Sequence, residues 1–211
     1  MEGAPLSDRE FVALDTYGEA SPSTSDAMFL VMRDRLEDIG DMLLQDTSHR
    51  ETWATIRDER LMRREIAREL HIHANHVYTV DQEAATADEK ETDIRMRATA
   101  SAQQATIELK IGEKSRSAAD LRATLKDQLL VKYMAAEHCR SGCLVVTIAS
   151  NKTWRHPDTK KSLDFDGLIT MLNEEANRLS LELGGSARLM AKGLDLRPRL
   201  LTERAAKAKP A

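Results

Sequence analysis

Three side chains near the middle of the chain have the types and spacing for chemistry: Asp93, Glu108 and Lys110. The last two lie in QATIELKI, residues 104–111, whose alternating pattern predicts a strand. Side chains on a strand alternate faces. Glu108 and Lys110 therefore share one face, and Ile107, Leu109 and Ile111 share the other. TDIRMR, residues 92–97, predicts the preceding strand and brings Asp93 in from next door. Two carboxylates and an ammonium gathered on one sheet face are costly as core. Carboxylates, a backbone carbonyl and water suit a hard divalent cation. Such a cation can polarise an anionic substrate and activate a water molecule. Crowding of the two acids predicts that neutralising either one holds or raises stability when no metal is bound.

The elements that must position these residues are legible on both sides. Residues 1–23 are polar, carry Gly3, Pro5, Gly18 and Pro22, and are expected as loop or partly disordered chain. Ser23 to Asp26 opens a helix ending near Gln45, with Phe29, Met32, Leu36, Ile39 and Leu43 as one apolar seam. The seam is expected to pack on the domain; a homodimer seam over 26–45 is the alternative. Asp46 to Ser48 starts a second helix, about 49–71, with Trp53, Ile56, Met62, Ile66 and Leu70 as its stripe. His71, His73 and His76 at its end are read as complementing the helix dipole rather than ligating zinc. Residues 77–80 form a short strand, and three successive short strands predict an antiparallel meander. Ser117 to Asp120 resembles a capping box opening a helix to about Glu137, with Leu121, Leu125 and Leu129 buried. Gln128, three residues from Leu125, then points near the sheet. CLVVTIA, residues 143–149, is apolar throughout, as expected of a strand buried on both faces. A loop over 150–161, a helix over 165–183 and a last strand over 187–196 complete the order ααβββαβαβ. That order predicts an α/β fold with a small mixed sheet flanked by helices. The division expected is an N-terminal loop and helix extension (1–47), a main domain (48–198) and a flexible tail (199–211).

Charge is unevenly spread. Residues 1–93 carry 22 acids against 10 bases, whereas 110–161 carry 11 bases against 5 acids. The basic part starts at Lys110, where a polyanion would dock. No run approaches the roughly 18 apolar residues of a membrane span, and the polar start does not read as a signal peptide. Cys139 and Cys143 have no second pair to complete a zinc site. They are read as reduced thiols, which suggests a cytoplasmic protein.

Asp93 followed by Glu108-Leu109-Lys110 resembles the PD-(D/E)XK nuclease superfamily. YTVDQE, TDIRMRA, IELK, LKDQLLVKYM and GCLVVTIA resemble, more narrowly, the nuclease domains at the ends of large bacterial ATP-binding proteins of anti-phage defence. The resemblance implies a restriction-endonuclease-like core cutting nucleic acid, most simply double-stranded DNA, with Mg2+ or Mn2+. Asp93, Glu108 and the Leu109 carbonyl would hold the metal, with an acid from the first core helix, Glu65 first and Glu59 second. Lys110 would orient the water, and Gln128 would steady Lys110 or the phosphate. Thr92 stands where the family has its proline. Four residues separate Gln128 from Tyr133, where some relatives have three. Lys114, Arg116, Lys126, Lys132, Lys152, Arg155, Lys160 and Lys161 are candidate phosphate contacts, and Trp154 is either a base-stacking platform or a packing lid. Association with a larger defence complex is a further expectation. The competing expectation is a catalytically silent nuclease-fold module that binds nucleic acid or a protein partner.

Overall fold

The three central strands form the expected meander. β1 (Tyr78–Gln82) pairs antiparallel with β2 (Ile94–Ala98), and β2 pairs antiparallel with β3 (Gln104–Ile111). In a computed structural model of the chain, residues 7–82 and 94–198 are described, without the side chains of 13–17. β3 then pairs parallel with β4 (Cys139–Ile148), and β4 parallel with β7 (Arg188–Asp195), giving a mixed five-stranded sheet in the order β1-β2-β3-β4-β7. The fold is α/β, with helices on both faces of this sheet.

Alternation on the strands divides the interior into two cores. Ile94, Met96, Ile107, Leu109, Cys143 and Val145 face the first core, built with α2 (Ser25–Met42), α3 (Arg50–Ala54) and α4 (Glu59–Ile72). Leu144, Val146, Ile148, Leu189 and Ala191 face the second. Its cover is α5 (Ala118–Thr124), a π-helix (Leu125–Tyr133) and α6 (Phe165–Glu182). β4 is buried on both faces, as its unbroken apolar run requires. At Gly193 of β7 a Cβ would lie 2.9 Å from the Phe165 ring, so the strand and α6 meet at a distance only glycine allows.

The seam of α2 is buried against the sheet: Met28, Met32, Leu36, Ile39 and Leu43 all join the first core. The apolar stripe over 26–45 is thus used inside the chain, and does not face outward as a dimer seam. α2 is capped by the Thr24 hydroxyl, which accepts from the Ala27 N–H at 3.1 Å.

Four local expectations need correction. Residues 8–17 are a helix, α1 (Asp8–Tyr17), not a loop. Ser7 and Glu10 cap it reciprocally: the Ser7 N–H and hydroxyl donate to Glu10, and the Glu10 N–H donates to Ser7 Oγ. The expected 49–71 helix is broken after Ala54. Arg57 donates to the Ala54 and Ile56 carbonyls there, and the Asp58 carboxylate caps α4 at the Arg60 N–H, 2.7 Å. The expected 117–137 helix starts with the anticipated Ser117–Asp120 capping box but widens into the π-helix after Thr124. Within the loop before α6, β5 (Trp154–Arg155) and β6 (Ser162–Leu163) pair with each other. Cys139 and Cys143 are free and buried. Among the described residues, no helix is long and apolar enough to cross a membrane.

Candidate functional site

Glu108 and Lys110 sit where strand alternation puts them, on the β3 face opposite Ile107, Leu109 and Ile111. They are 3% and 8% exposed, and Lys110 Nζ donates to Glu108 Oε1. The pair is enclosed because β3 is an inner strand, hydrogen-bonded to β2 on one side and β4 on the other. Asp93 lies outside the described residues. Its covalent neighbour Ile94 pairs with Ile107, the residue before Glu108. The Leu109 side chain is fully buried in the first core, which leaves only its backbone for the second face.

The helix acid that reaches the end of β3 is Glu59. Its Oε1 accepts from the Ile111 N–H at 3.1 Å, and its carboxylate takes both terminal nitrogens of Arg116. Lys114 Nζ approaches Oε2 at 3.5 Å. Burial pushes the Glu59 pKa up, but the Arg116 and Ile111 hydrogen bonds and the charges of Arg116 and Lys110 outweigh it. Glu59 is thereby held below the ordinary glutamate range. Glu65, the first expectation for this role, pairs instead with Arg68 at 3.2 Å, one turn along α4.

Gln128 comes to Lys110 from above. Both line a cleft of about 360 Å³ with Arg116, Asp120, Ala123, Thr124 and Asp127. Gln128 Oε1 is enclosed and has no hydrogen-bond partner among the described residues. Tyr133 is buried at the end of the π-helix, where the Met134 N–H donates to the Leu129 carbonyl, five residues back, at 3.0 Å. π-helical turns concentrate at functional sites.

Several expected phosphate contacts are already engaged. Lys152 donates to the Gly112 and Lys114 carbonyls at 2.7 and 2.6 Å, and burial holds its pKa below the ordinary lysine value. It pins the 112–116 turn rather than facing outward. Lys114 and Arg116 serve Glu59, and Lys160 donates to the Pro157 carbonyl. Trp154 is 4% exposed and packs on Phe165 with ring centroids 6.3 Å apart, so it is a packing lid and not a stacking platform. Lys126, Arg155 and Lys161 remain exposed.

His71 and His76 are exposed at the end of α4 and beyond it. Among the described residues, no group of three or more His, Cys, Asp or Glu side chains is placed to hold a metal ion. Sequence reasoning missed Arg95 and Thr106. They pair across β2 and β3 and share the face of Glu108 and Lys110. The alternation in TDIRMR could have put Arg95 on the face of Asp93; what the sequence lacked was the register that sets it against Thr106. No protein-family model, curated protein or solved structure matches the chain.

Proposed function

We propose that the chain hydrolyses phosphodiester bonds in nucleic acid with a divalent metal, as a DNA endonuclease on a restriction-endonuclease-like core. The observation that carries this reading is the Glu108–Lys110 pair, held on a polar sheet face beside the cleft that Gln128 lines. The described oxygen donors there are the Glu108 carboxylate and the Leu109 carbonyl; the reading adds the carboxylate of Asp93, which precedes Ile94 in the chain and lies outside the described residues. This donor set offers no thiolate or imidazole, and it fits Mg2+ or Mn2+. Bound between these groups, the metal would polarise the phosphate and lower the pKa of a water. Lys110 would hold that water or a non-bridging oxygen, where negative charge develops. The Gln128 Oε1, without a partner among the described residues, would accept from the water or from Lys110 and so fix their orientation. Glu59, already shared between Arg116 and the Ile111 N–H, would fix the end of β3 and so the direction of Lys110. A role as an effector in bacterial anti-phage defence, alone or within a larger complex, rests on the resemblance of the quoted motifs.

One observation favours the competing reading, a silent module that binds nucleic acid or protein: Glu108 and Lys110 neutralise each other, as a purely structural pair would. Plasmid incubated with the wild-type chain separates the two. Nicking with Mg2+ that EDTA stops, and that Asp93→Asn abolishes, is expected from the nuclease. Binding without nicking in any divalent metal overturns it in favour of the module.

A further inference from the structure

The polar face of β3 continues past the Glu108–Lys110 pair. Two residues back on the strand is Thr106, and opposite it on β2 is Arg95. Thr106 is 0% exposed and its hydroxyl has no hydrogen-bond partner among the described residues. Arg95 is 7% exposed, its Nε is enclosed and unpartnered, and its guanidinium has no hydrogen bond or ion pair with any described residue.

A guanidinium cannot shed its proton at any ordinary pH. Enclosing it without an anion is costly, so a counter-ion belongs there. The described neighbours do not supply one. Asp81 stands directly opposite Arg95 on β1, but its carboxylate accepts from Arg97. Glu108 is matched by Lys110. Cys139, the other titratable group near Arg95, has its thiol pushed up to about 11 by burial, against the opposing charges of Arg95, Arg140 and Arg97. It is neutral at physiological pH. Arg140, the remaining cation, donates to the Met134 carbonyl at 3.3 Å. Among the described residues each nearby carboxylate is thus matched by another cation, and Arg95 is left for an anion from outside.

We propose that Arg95 is a backbone-phosphate anchor for the bound nucleic acid, seating the phosphate next to the one at Glu108 and Lys110. The assignment rests on reading the Glu108 site as one for phosphodiesters. Thr106 and Glu108 are two residues apart on β3, roughly 6.5–7 Å at the rise of a strand. That matches the step between successive phosphates along an extended strand. The planar fork of an arginine takes two phosphate oxygens at once, and the idle Thr106 hydroxyl lies beside it. The substrate then follows the β2–β3 face, away from the Lys152 turn. Because the anion comes only with the substrate, the free protein carries the cost of the unmatched charge.

The test uses the full chain, with Arg95→Met and Arg95→Lys. Thermal melts without nucleic acid are combined with salt titrations of binding to a short duplex and its single strand. Each titration is run once with Ca2+ replacing Mg2+ and once with EDTA. For Arg95→Met the melting temperature is expected to hold or rise. Its salt slope is expected to fall by about 0.9 on the duplex or 0.7 on the single strand, and binding near 0.15 M salt to weaken roughly fivefold. Arg95→Lys keeps the charge and the slope but loses the fork, so it binds more weakly than wild type. A lowered melting temperature or misfolding of Arg95→Met, with Arg95→Lys binding like wild type, overturns the anchor and makes Arg95 a structural cation. An unchanged slope in Arg95→Met, or a wild-type chain that binds no nucleic acid, also overturns it. A wild-type chain that never nicks with Mg2+, yet loses slope on Arg95→Met, overturns the nuclease reading and keeps the anchor. Nicking by wild type with an unchanged slope in Arg95→Met does the reverse.

Discussion

The Glu108–Lys110 pair gives the sharpest stability test, because the structure reverses the sign that the sequence suggests. Crowded acids predict that Glu108→Gln holds or raises stability without metal. In the structure Glu108 faces an ammonium, and both residues are buried. Removing one member of a buried pair leaves the other charge poorly compensated and costs about 3–5 kcal/mol. Glu108→Gln belongs at the lower end, near 3 kcal/mol, because the Glu59 carboxylate lies close enough to sense Lys110. Lys110→Met belongs higher, because it leaves Glu108 enclosed without its ammonium. For a chain of 211 residues, each kcal/mol moves the melting temperature by roughly 2–4 °C. The expected drops are then about 6–12 °C for Glu108→Gln and more for Lys110→Met. The double variant Glu108→Gln/Lys110→Met removes both charges. It is expected within about 1 kcal/mol of wild type, since neutral replacement of a buried pair is often nearly free. The assay is thermal and urea denaturation of all four proteins by circular dichroism in EDTA, closed as a double-mutant cycle. If Glu108→Gln melts at or above wild type, or if the two single effects simply add in the double variant, Lys110 is not the counter-charge that holds Glu108.

Other expectations follow from neighbouring contacts. Lys152→Met loses two short bonds to the Gly112 and Lys114 carbonyls. It should cost about 2 kcal/mol and speed hydrogen exchange over 112–116, while leaving the salt slope of nucleic-acid binding unchanged. Glu59 has a depressed pKa, so its contribution is present above the unfolded glutamate value and is lost as pH falls toward the lower folded value. Glu59→Gln should flatten the loss of melting temperature with acid in that window, and an acid limb as steep as wild type would count against the Arg116 clasp. Gly193→Ala forces a Cβ against Ile169 and Phe165 at 2.8 and 2.9 Å, whereas Gly142→Ala meets the movable Met134 sulfur at 2.6 Å. The first should cost about 2–3 kcal/mol and the second nearer 1, as read by urea midpoints.

The sheet was legible because its strands follow simple periods. Alternation in 104–111 told which residues of β3 face which core, and the unbroken apolar run of 143–149 marked the strand between two layers. The breaks were harder to read. The stop after Ala54 depends on Arg57 reaching back to the Ala54 and Ile56 carbonyls, a contact that no periodicity reports. α1 was missed although Ser7 and Glu10 stand at capping-box spacing, because glycine and proline around it dominated the reading. At the site, residue types named Glu108, Lys110 and Gln128, and the cleft brings Lys110 and Gln128 together. The choice between Glu65 and Glu59 turned on the position of the α4 start. With the helix beginning at Glu59, that acid meets the Ile111 N–H at the end of β3. The basic surplus of 110–161 was the least informative signal, since a count of charges does not say which lysines are spent on carbonyls, as Lys152 is.

The π-helix ties the remaining sequence anomaly to the site. In a regular α-helix, residues five apart lie roughly 140° from each other around the axis. Gln128 and Tyr133 could not then both face the sheet, and their spacing looks one residue too long beside the relatives that the motif resembles. The chain adopts an i→i+5 ladder through this stretch, closed by the Met134 N–H on the Leu129 carbonyl. Residues five apart are one hydrogen-bonded turn apart in such a ladder. Tyr133 is accordingly buried, and Gln128 puts its Oε1 into an enclosed position beside Lys110 while Val131 between them faces solvent. The widened turn lets the Leu121–Leu125–Leu129 stripe and Tyr133 all reach the second core. The wide turn runs over nine residues, and it puts at the cleft beside Lys110 an amide oxygen that has no hydrogen-bond partner among the described residues.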